Sequence, residues 1–180
     1  GPRFLPDPRA GAGEYFPLMT EMLHSLEPFD DHFARVLCVV AHPDDIEYGV
    51  SAAVHRWVGE GAEVAYFLLT RGEAGIDTMA PGEAAVVREA EERESARRVG
   101  VETVDFAGLP DGAVEYGVAL RREITRAIRR QRPDLVVGMT WAERFAGGMV
   151  NQADHRAVGL ATLDAVADAG NRWLHRELED

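Results

Sequence analysis

The sequence predicts an α/β domain in which a mainly parallel β-sheet is covered by helices on both faces. Short apolar runs of strand length alternate with longer segments whose apolar residues recur at helical spacing. The first run, residues 36–41, is apolar throughout, as expected of a strand that is buried on both faces. The chain has 180 residues, of which 46% are hydrophobic, and this suits one packed domain.

The predicted elements follow a regular order along the chain. Residues 1–34 are rich in proline, so we expect an irregular N-terminal arm with at most a short helix near residues 18–26. Residues 35–180 are expected to form the domain. Strands are predicted at 35–41, 63–70, 103–107 and 134–139, and helices at 46–59, 82–99, 118–130 and from 154 or 155 to about 169. Successive βαβ units of this kind predict a three-layer, Rossmann-like α/β/α arrangement.

The composition argues against several classes of function. Acidic residues number 31 and basic residues 19, and the resulting net charge of −12 does not suit nucleic acid or an anionic membrane surface. No apolar run approaches the roughly 20 residues of a membrane span, and no signal peptide is recognised. A single cysteine permits no internal disulfide, so a reducing, cytoplasmic setting is expected. The sequence contains no lysine, which excludes Schiff-base chemistry on this chain. Its single cysteine, Cys38, lies in a predicted buried strand and is expected to be an inert thiol.

Polar residues gather in the loops that follow the predicted strands. In an open parallel sheet, ligands bind where the carboxyl ends of the strands meet. His42, Asp44 and Asp45 follow the first strand, and His155 begins the last helix. The other candidates in these loops are Arg71, Glu73 and Asp77 after the second strand, Asp111 after the third, and Glu143, Arg144, Asn151, Gln152 and Asp154 after the fourth.

The spacing of these residues suggests a metal site. His42 and Asp45 flank a turn that contains Pro43, and His155 could approach them across the sheet edge. Two histidines and one carboxylate, with one position left open, form a known catalytic zinc arrangement. Asp44 would then lie where a base for water is needed. On spacing alone the alternative stays open that the acidic pair only caps a helix N-terminus.

Two other enzyme classes fit the sequence less well. A dinucleotide site would need a glycine-rich turn after the first strand, but the turn here carries two carboxylates, which would repel a pyrophosphate. A serine hydrolase would need a serine on a sharp strand-to-helix turn, and none of the candidate serines occupies one.

The ordered set of motifs resembles the PIG-L/LmbE-like zinc deacetylases. The resemblance runs from about residue 35 to 170 and begins with the sequence AHPDD at residues 41–45. The other matching segments are LTRGEAG at 69–75, REAE at 88–91, LPDG at 109–112 and DHRAVG at 154–159.

The resemblance implies zinc-dependent hydrolysis of an N-acetyl group on a small molecule or glycoconjugate that contains N-acetylglucosamine. One zinc ion per chain would be held by His42, Asp45 and His155, although other divalent transition metals suit the same ligands. Asp44 would be the general base, and Gln152 and Asp154 are further catalytic candidates. The substrate-binding candidates are Arg88, Asp111, Arg71 and Glu73.

The sequence departs from the family pattern in two places. Gln152 stands where the family usually has a histidine that helps to stabilise the oxyanion, and glutamine can donate only a neutral hydrogen bond. Family members also usually continue beyond the matched region, so the C-terminal family segment is expected to be absent here. Two alternatives therefore stay open: an amidase acting on a thiol conjugate, or a catalytically weakened sugar-binding protein. The expected partner is a small N-acetylated sugar, and homo-oligomerisation is left open.

Overall fold

The computed structural model describes residues 29, 32–145 and 147–178. The predicted arm at residues 1–34 lies mostly outside these residues, as does the short helix expected near residues 18–26. The extent of the arm and the domain boundary therefore stay predictions. The first described strand begins at Arg35.

Within the described residues the sheet has four strands that pair in parallel, which confirms the predicted sheet type. The strands are β1 (Arg35–Val40), β2 (Glu63–Leu68), β3 (Thr103–Phe106) and β4 (Leu135–Val137). Their order across the sheet is β3-β2-β1-β4. Strands β2 and β3 therefore lie on one side of β1, and β4 lies on the other side. The gap between the loops that follow β1 and β4 is the place where α/β sheets of this type bind ligands.

Helices cover both faces of the sheet, so the three-layer prediction is also confirmed. They are α1 (Asp45–Gly49), α2 (Ser51–Gly59), α3 (Pro81–Arg98), α4 (Val118–Gln131) and α5 (Ala153–Gly170), followed by one 3₁₀ turn (Arg176–Leu178). Alternate residues of β1 point to opposite faces. Leu37 and Val39 pack with α4 and α5, whereas Val36 and Cys38 pack with the helices α1 to α3.

The helix expected at residues 46–59 is interrupted, which the sequence pattern did not predict. It ends at Gly49 and restarts at Ser51, because Val50 adopts φ −138° and ψ −4°. Glycine and β-branched valine are both weak helix formers, and Val50 packs against the core from this non-helical position. The break separates the short helix that follows the turn at residues 42–44 from the longer helix that covers the sheet.

Helix α5 lies very close to the loop that follows β4. A Cβ atom on Gly159 would lie only 2.5 Å from the carbonyl oxygen of Met139, so a larger residue would push the helix away. This close approach fixes the start of α5, and with it His155, beside the carboxyl end of the sheet.

Two further expectations concern single features of the chain. Cys38 is fully buried and unpaired, which confirms its predicted burial, and burial raises the pKa of its thiol to about 12, which disfavours the reactive thiolate. In the described part of the chain, no helix has the length and apolar character that a membrane span requires.

Glu92 on α3 is a buried carboxyl group that should make stability depend on pH. It is 2% exposed, and burial together with the nearby Glu47 carboxylate raises its pKa to about 8. The folded state therefore favours the protonated acid. The contribution of Glu92 to the free energy of unfolding is fully present below the unfolded pKa near 4.5. It is lost as the pH rises from there through about 8.

Glu92→Gln is therefore expected to raise the melting temperature at pH 8.5 by several degrees, because the amide stays neutral. The gap between variant and native protein should widen from pH 5 to pH 8, by at most about 1.4 kcal/mol per pH unit. Thermal unfolding across this pH range measures it. Glu91→Gln, on the exposed side of the same helix, is the matched control. A gap that does not change with pH would contradict the prediction.

Candidate functional site

The turn after β1 presents three polar side chains at the carboxyl edge of the sheet. His42 is 6% exposed, and its backbone N–H donates a hydrogen bond to Asp45 Oδ2 at 2.8 Å. This bond folds the Asp45 side chain back toward His42. Asp44 lies between them with φ +94°, a left-handed conformation that is uncommon for a residue other than glycine. Strained backbone of this kind is often found at functional sites.

His42, Asp45 and His155 meet across 113 residues of sequence. His42 Nδ1 lies 3.2 Å from His155 Nε2 and 3.6 Å from Asp45 Oδ2, and His155 Nε2 lies 3.2 Å from Asp45 Oδ1. Ligands of a tetrahedral zinc ion, each roughly 2.0–2.1 Å from the metal, stand about 3.3 Å apart. The three side chains therefore have the donor atoms and the spacing that a zinc ion requires.

Two further carboxylates lie behind the His42 ring. His42 Nε2 is 3.2 Å from Asp154 Oδ2 and 3.1 Å from Asp111 Oδ1, so this nitrogen carries the hydrogen that faces them. Asp154 is fully buried and also accepts hydrogen bonds from the backbone N–H groups of Gly112 and Val114. In the neutral ring with hydrogen on Nε2, the Nδ1 lone pair faces Asp45 and His155, as metal binding requires.

The group of His42, Asp111 and Asp154 also has metal-ligand spacing, but its surroundings are less suitable. Backbone N–H groups already occupy Asp154, and Ala74 N donates to Asp111 Oδ2 at 2.7 Å. His42, Asp45 and His155 instead all line an open cavity, where a fourth ligand can enter. Asp111 and Asp154 are therefore better suited to orienting the His42 ring, through its Nε2, than to binding a metal.

Charge at this edge of the sheet favours a cation. Burial lowers the pKa of His42, but hydrogen bonds that the ring donates to Asp45 and Asp154, together with the charges of Asp45 and Asp111, outweigh that effect and raise the pKa above its usual value. Burial alone would raise the pKa of Asp45. Hydrogen bonds that His155 and His42 donate to its carboxylate outweigh burial and lower the pKa. Asp45 is thus an ionised ligand candidate.

Arg88 on α3 holds the loop that carries Asp44. Its Nη2 lies 3.1 Å from Asp44 Oδ1 and also donates to the carbonyl oxygen of Pro43, while Nη1 donates to the carbonyl oxygen of Gly72 at 2.9 Å. A Cβ atom on Gly72 or Gly75 would lie 2.3 or 2.4 Å from Nη1, so these glycines make room for the guanidinium group. Partial burial raises the pKa of Asp44, and the Arg88 charge opposes that shift.

The cavity at this site has a volume of about 900 Å³. Its polar lining residues include the three metal-ligand candidates with Asp44, Arg88 and Asp111. Its apolar lining residues are Tyr48, Val50, Ile76, Val137, Met139 and Phe145. A mixed polar and apolar lining suits a sugar, whose hydroxyl groups need hydrogen bonds and whose ring faces are apolar.

Glu73 and Arg71, two predicted substrate-binding residues in the loop after β2, contact protein groups outside the cavity. Glu73 accepts hydrogen bonds from the backbone N–H groups of Arg71 and Asp111, so it ties two loops together. Arg71 forms an ion pair with Glu89 at 3.3 Å. Neither residue is among those that line the cavity in the described structure. Their proposed roles in substrate binding stay predictions.

Gln152 precedes α5 as its N-terminal cap residue and is exposed to the cavity. Its side chain makes no capping hydrogen bond to the helix, so the amide is available to face a ligand. Asn151, beside it, contacts His155; it was one of the candidates in this loop, but the sequence assigned no role to it. Only its position in a loop at the sheet edge pointed to it.

Comparison with known proteins supplies a family match over most of this region. A family model described as PIG-L: GlcNAc-PI de-N-acetylase matches residues 37–166. A diacetylchitobiose deacetylase of Thermococcus kodakarensis is 34% identical over 80% of this chain and 53% of its own length. A 1D-myo-inositol 2-acetamido-2-deoxy-alpha-D-glucopyranoside deacetylase of Kineococcus radiotolerans is 35% identical, over 80% of this chain and 47% of its own length. The chain thus spans about half the length of these relatives.

A solved structure supports the fold. The N,N'-diacetylchitobiose deacetylase of Pyrococcus horikoshii superimposes with a TM-score of 0.77 and 24% identity, covering 97% of this chain and 65% of the other. The four-stranded parallel sheet and its flanking helices therefore match a known architecture.

Proposed function

The chain belongs to the PIG-L family of GlcNAc-PI de-N-acetylases, and we propose that it hydrolyses the N-acetyl group of an N-acetylglucosamine-containing small molecule or glycoconjugate. The products would be acetate and a free amine. The observation that carries the proposal is the convergence of His42, Asp45 and His155 on one point of a cavity that Asp44 also lines.

A zinc ion fits this group of side chains. His42, through Nδ1, His155, through Nε2, and the Asp45 carboxylate would hold it, because their spacing and donor types suit zinc. When bound, zinc would supply Lewis acidity, which polarises an amide carbonyl and makes water acidic enough to lose a proton near neutral pH.

Asp44 is proposed to move the proton. Its carboxylate lines the cavity, and its raised pKa makes it a better base than an ordinary aspartate. It would accept a proton as water attacks the acetyl carbon, and would return that proton to the amine nitrogen as the C–N bond breaks. Arg88 would hold the carboxylate in place through the 3.1 Å contact between Nη2 and Oδ1.

The remaining cavity residues are proposed to bind and orient. Gln152 would donate an amide hydrogen bond to the oxygen that becomes negatively charged during attack. Asp154 would act through His42, whose Nε2–H it accepts. Arg88 and Asp111 line the cavity and would contact the sugar hydroxyl groups, with Arg71 and Glu73 supporting the same loops.

The proposed substrate class is supported by the relatives. Both the Thermococcus and the Kineococcus proteins are named as deacetylases of acetylated amino sugars. The cavity is also larger than a single amino sugar requires, which leaves room for a second sugar or another attached group. Neither named relative supports the alternative of an amidase that acts on a thiol conjugate.

The proposal is tested with the native protein. Metal analysis should find about one zinc per chain, and a coupled assay should detect acetate released from diacetylchitobiose or from an N-acetylglucosaminyl inositol. Comparing acetate release with the release of larger acyl groups from a thiol conjugate separates the two reactions. A zinc-loaded protein that releases no acetate from any N-acetylglucosamine compound would contradict the proposal.

Gln152→His is expected to raise kcat for deacetylation roughly tenfold, because a protonated histidine donates a stronger, charge-assisted hydrogen bond to the developing oxyanion. Steady-state kinetics on an N-acetylated sugar measures the change, with KM expected to move much less than kcat. Gln131→His, at the C-terminal end of α4, is the control. An unchanged or lower kcat would show that glutamine is not a defect and would remove the reason to regard this chain as catalytically weakened.

A further inference from the structure

Asn151 is a fully buried polar residue with a complete set of hydrogen bonds. Its backbone N–H donates to the carbonyl oxygen of Glu143 at 2.8 Å, and its own carbonyl oxygen accepts from Arg156. The side-chain nitrogen donates to the carbonyl oxygens of Thr140 and Ala142, both at 2.9 Å. A residue held at so many points has little freedom to rotate.

These contacts determine which way the amide points. Thr140 and Ala142 present carbonyl oxygens, which can only accept, so the Asn151 nitrogen must face them. The side-chain oxygen is then fixed as an acceptor on the other side. It lies 3.1 Å from Nδ1 of His155.

We propose that Asn151 is a positioning residue for His155: its Oδ1 accepts the Nδ1–H hydrogen and so keeps the Nε2 lone pair directed at Asp45 and His42. The inference rests on the metal centre of the proposed function. It assigns to the second histidine the kind of support that Asp154 and Asp111 give to the first. Residues that orient a metal-binding histidine in this way set both its tautomer and its ring angle.

The choice of amide follows from the same contacts. An aspartate at position 151 would keep an oxygen toward His155 but would place its other oxygen against the carbonyl oxygens of Thr140 and Ala142. An alanine would remove both interactions. The aspartate variant thus loses the hydrogen bonds to the loop but keeps the acceptor for His155, whereas the alanine variant loses both. Comparing the two variants separates these effects.

The experiment measures zinc affinity by competition with a chelator for native protein, Asn151→Ala and Asn151→Asp. We expect the alanine variant to bind zinc about 10–100-fold more weakly, and the aspartate variant to recover most of that loss because it restores the acceptor. Asn171→Ala, at the opposite end of α5, is the matched control and should bind zinc like the native protein. If Asn151 only attaches the loop, both variants lose the same two donors, so equal losses in affinity would overturn the proposal.

A second measurement needs no variant to fold. Long-range ¹H–¹⁵N correlation spectra of the zinc-loaded native protein should show His155 with a protonated Nδ1 and a zinc-bound Nε2. An unprotonated or zinc-bound Nδ1 would overturn the proposal. A native protein without zinc affinity would overturn the metal centre of the proposed function as well, whereas zinc binding that Asn151→Ala leaves unchanged would overturn the positioning role alone.

Discussion

His42→Ala is expected to leave the protein without stoichiometric zinc and to reduce acetate release to background. The substitution removes one of three proposed ligands, and it leaves Asp111 and Asp154 without the ring nitrogen that they contact. Loss of Lewis acidity removes several kcal/mol of transition-state stabilisation, and 4 kcal/mol corresponds to roughly a thousandfold in rate. Metal analysis and the acetate assay on the same sample measure both effects.

His55→Ala is the matched control, because this exposed histidine lies on α2 and does not line the cavity. It should keep full zinc content and full activity. Since burying three carboxylates without His42 could destabilise the turn, His155→Ala provides a second variant whose ring is less buried. Full metal occupancy with native activity in either ligand variant would refute the assignment of the metal centre.

The convergence of His42 and His155 illustrates what the sequence pattern can predict. Alternating strands and helices imply a parallel sheet, whose strands all end at the same edge. That rule predicted that His42 and His155 could approach each other, and the structure brings them together because β4 pairs with β1. The continuous apolar run of β1 likewise identified a strand with both faces buried, and both faces are covered.

The sequence could not predict which side chains of these loops face the cavity. Glu73 and Asp111 both follow strands, yet Glu73 binds backbone N–H groups while Asp111 lines the cavity. The direction of a loop side chain depends on backbone angles that no periodic pattern encodes. The interruption at Val50 escaped prediction for a related reason, since a single non-helical residue changes neither the spacing nor the polarity of its neighbours.

Asn151 shows a further limit of sequence-based prediction. An asparagine offers two donors and an acceptor, and nothing in its neighbours indicates which of these will be used. Its assignment depends on the carbonyl oxygens of Thr140 and Ala142, which lie on a loop whose course only the structure gives. Metal ligands are easier to predict because their residue types are few, whereas the residues that orient them can be almost any polar type.

Asp44→Asn is expected to reduce kcat about 10²–10⁴-fold while zinc content and melting temperature stay close to native, because it removes a base without changing shape. Asparagine is among the few residues that tolerate the left-handed conformation found at position 44, where φ is +94°. Its side-chain oxygen can also keep the contact with Arg88. Steady-state kinetics, metal analysis and thermal unfolding together test the prediction.

This substitution also decides between the two interpretations of the acidic pair. If Asp44 only capped the helix that begins at Asp45, asparagine would serve equally well, since it is as good a cap as aspartate. In the structure Asp44 occupies the cap position, but its side chain makes no capping hydrogen bond. Asp77→Asn, the same change at an exposed position in the loop after β2, should leave kcat unchanged. Native activity in Asp44→Asn would therefore refute the role of Asp44 as the base and favour the capping role, whereas a large loss with zinc retained requires a group that accepts a proton.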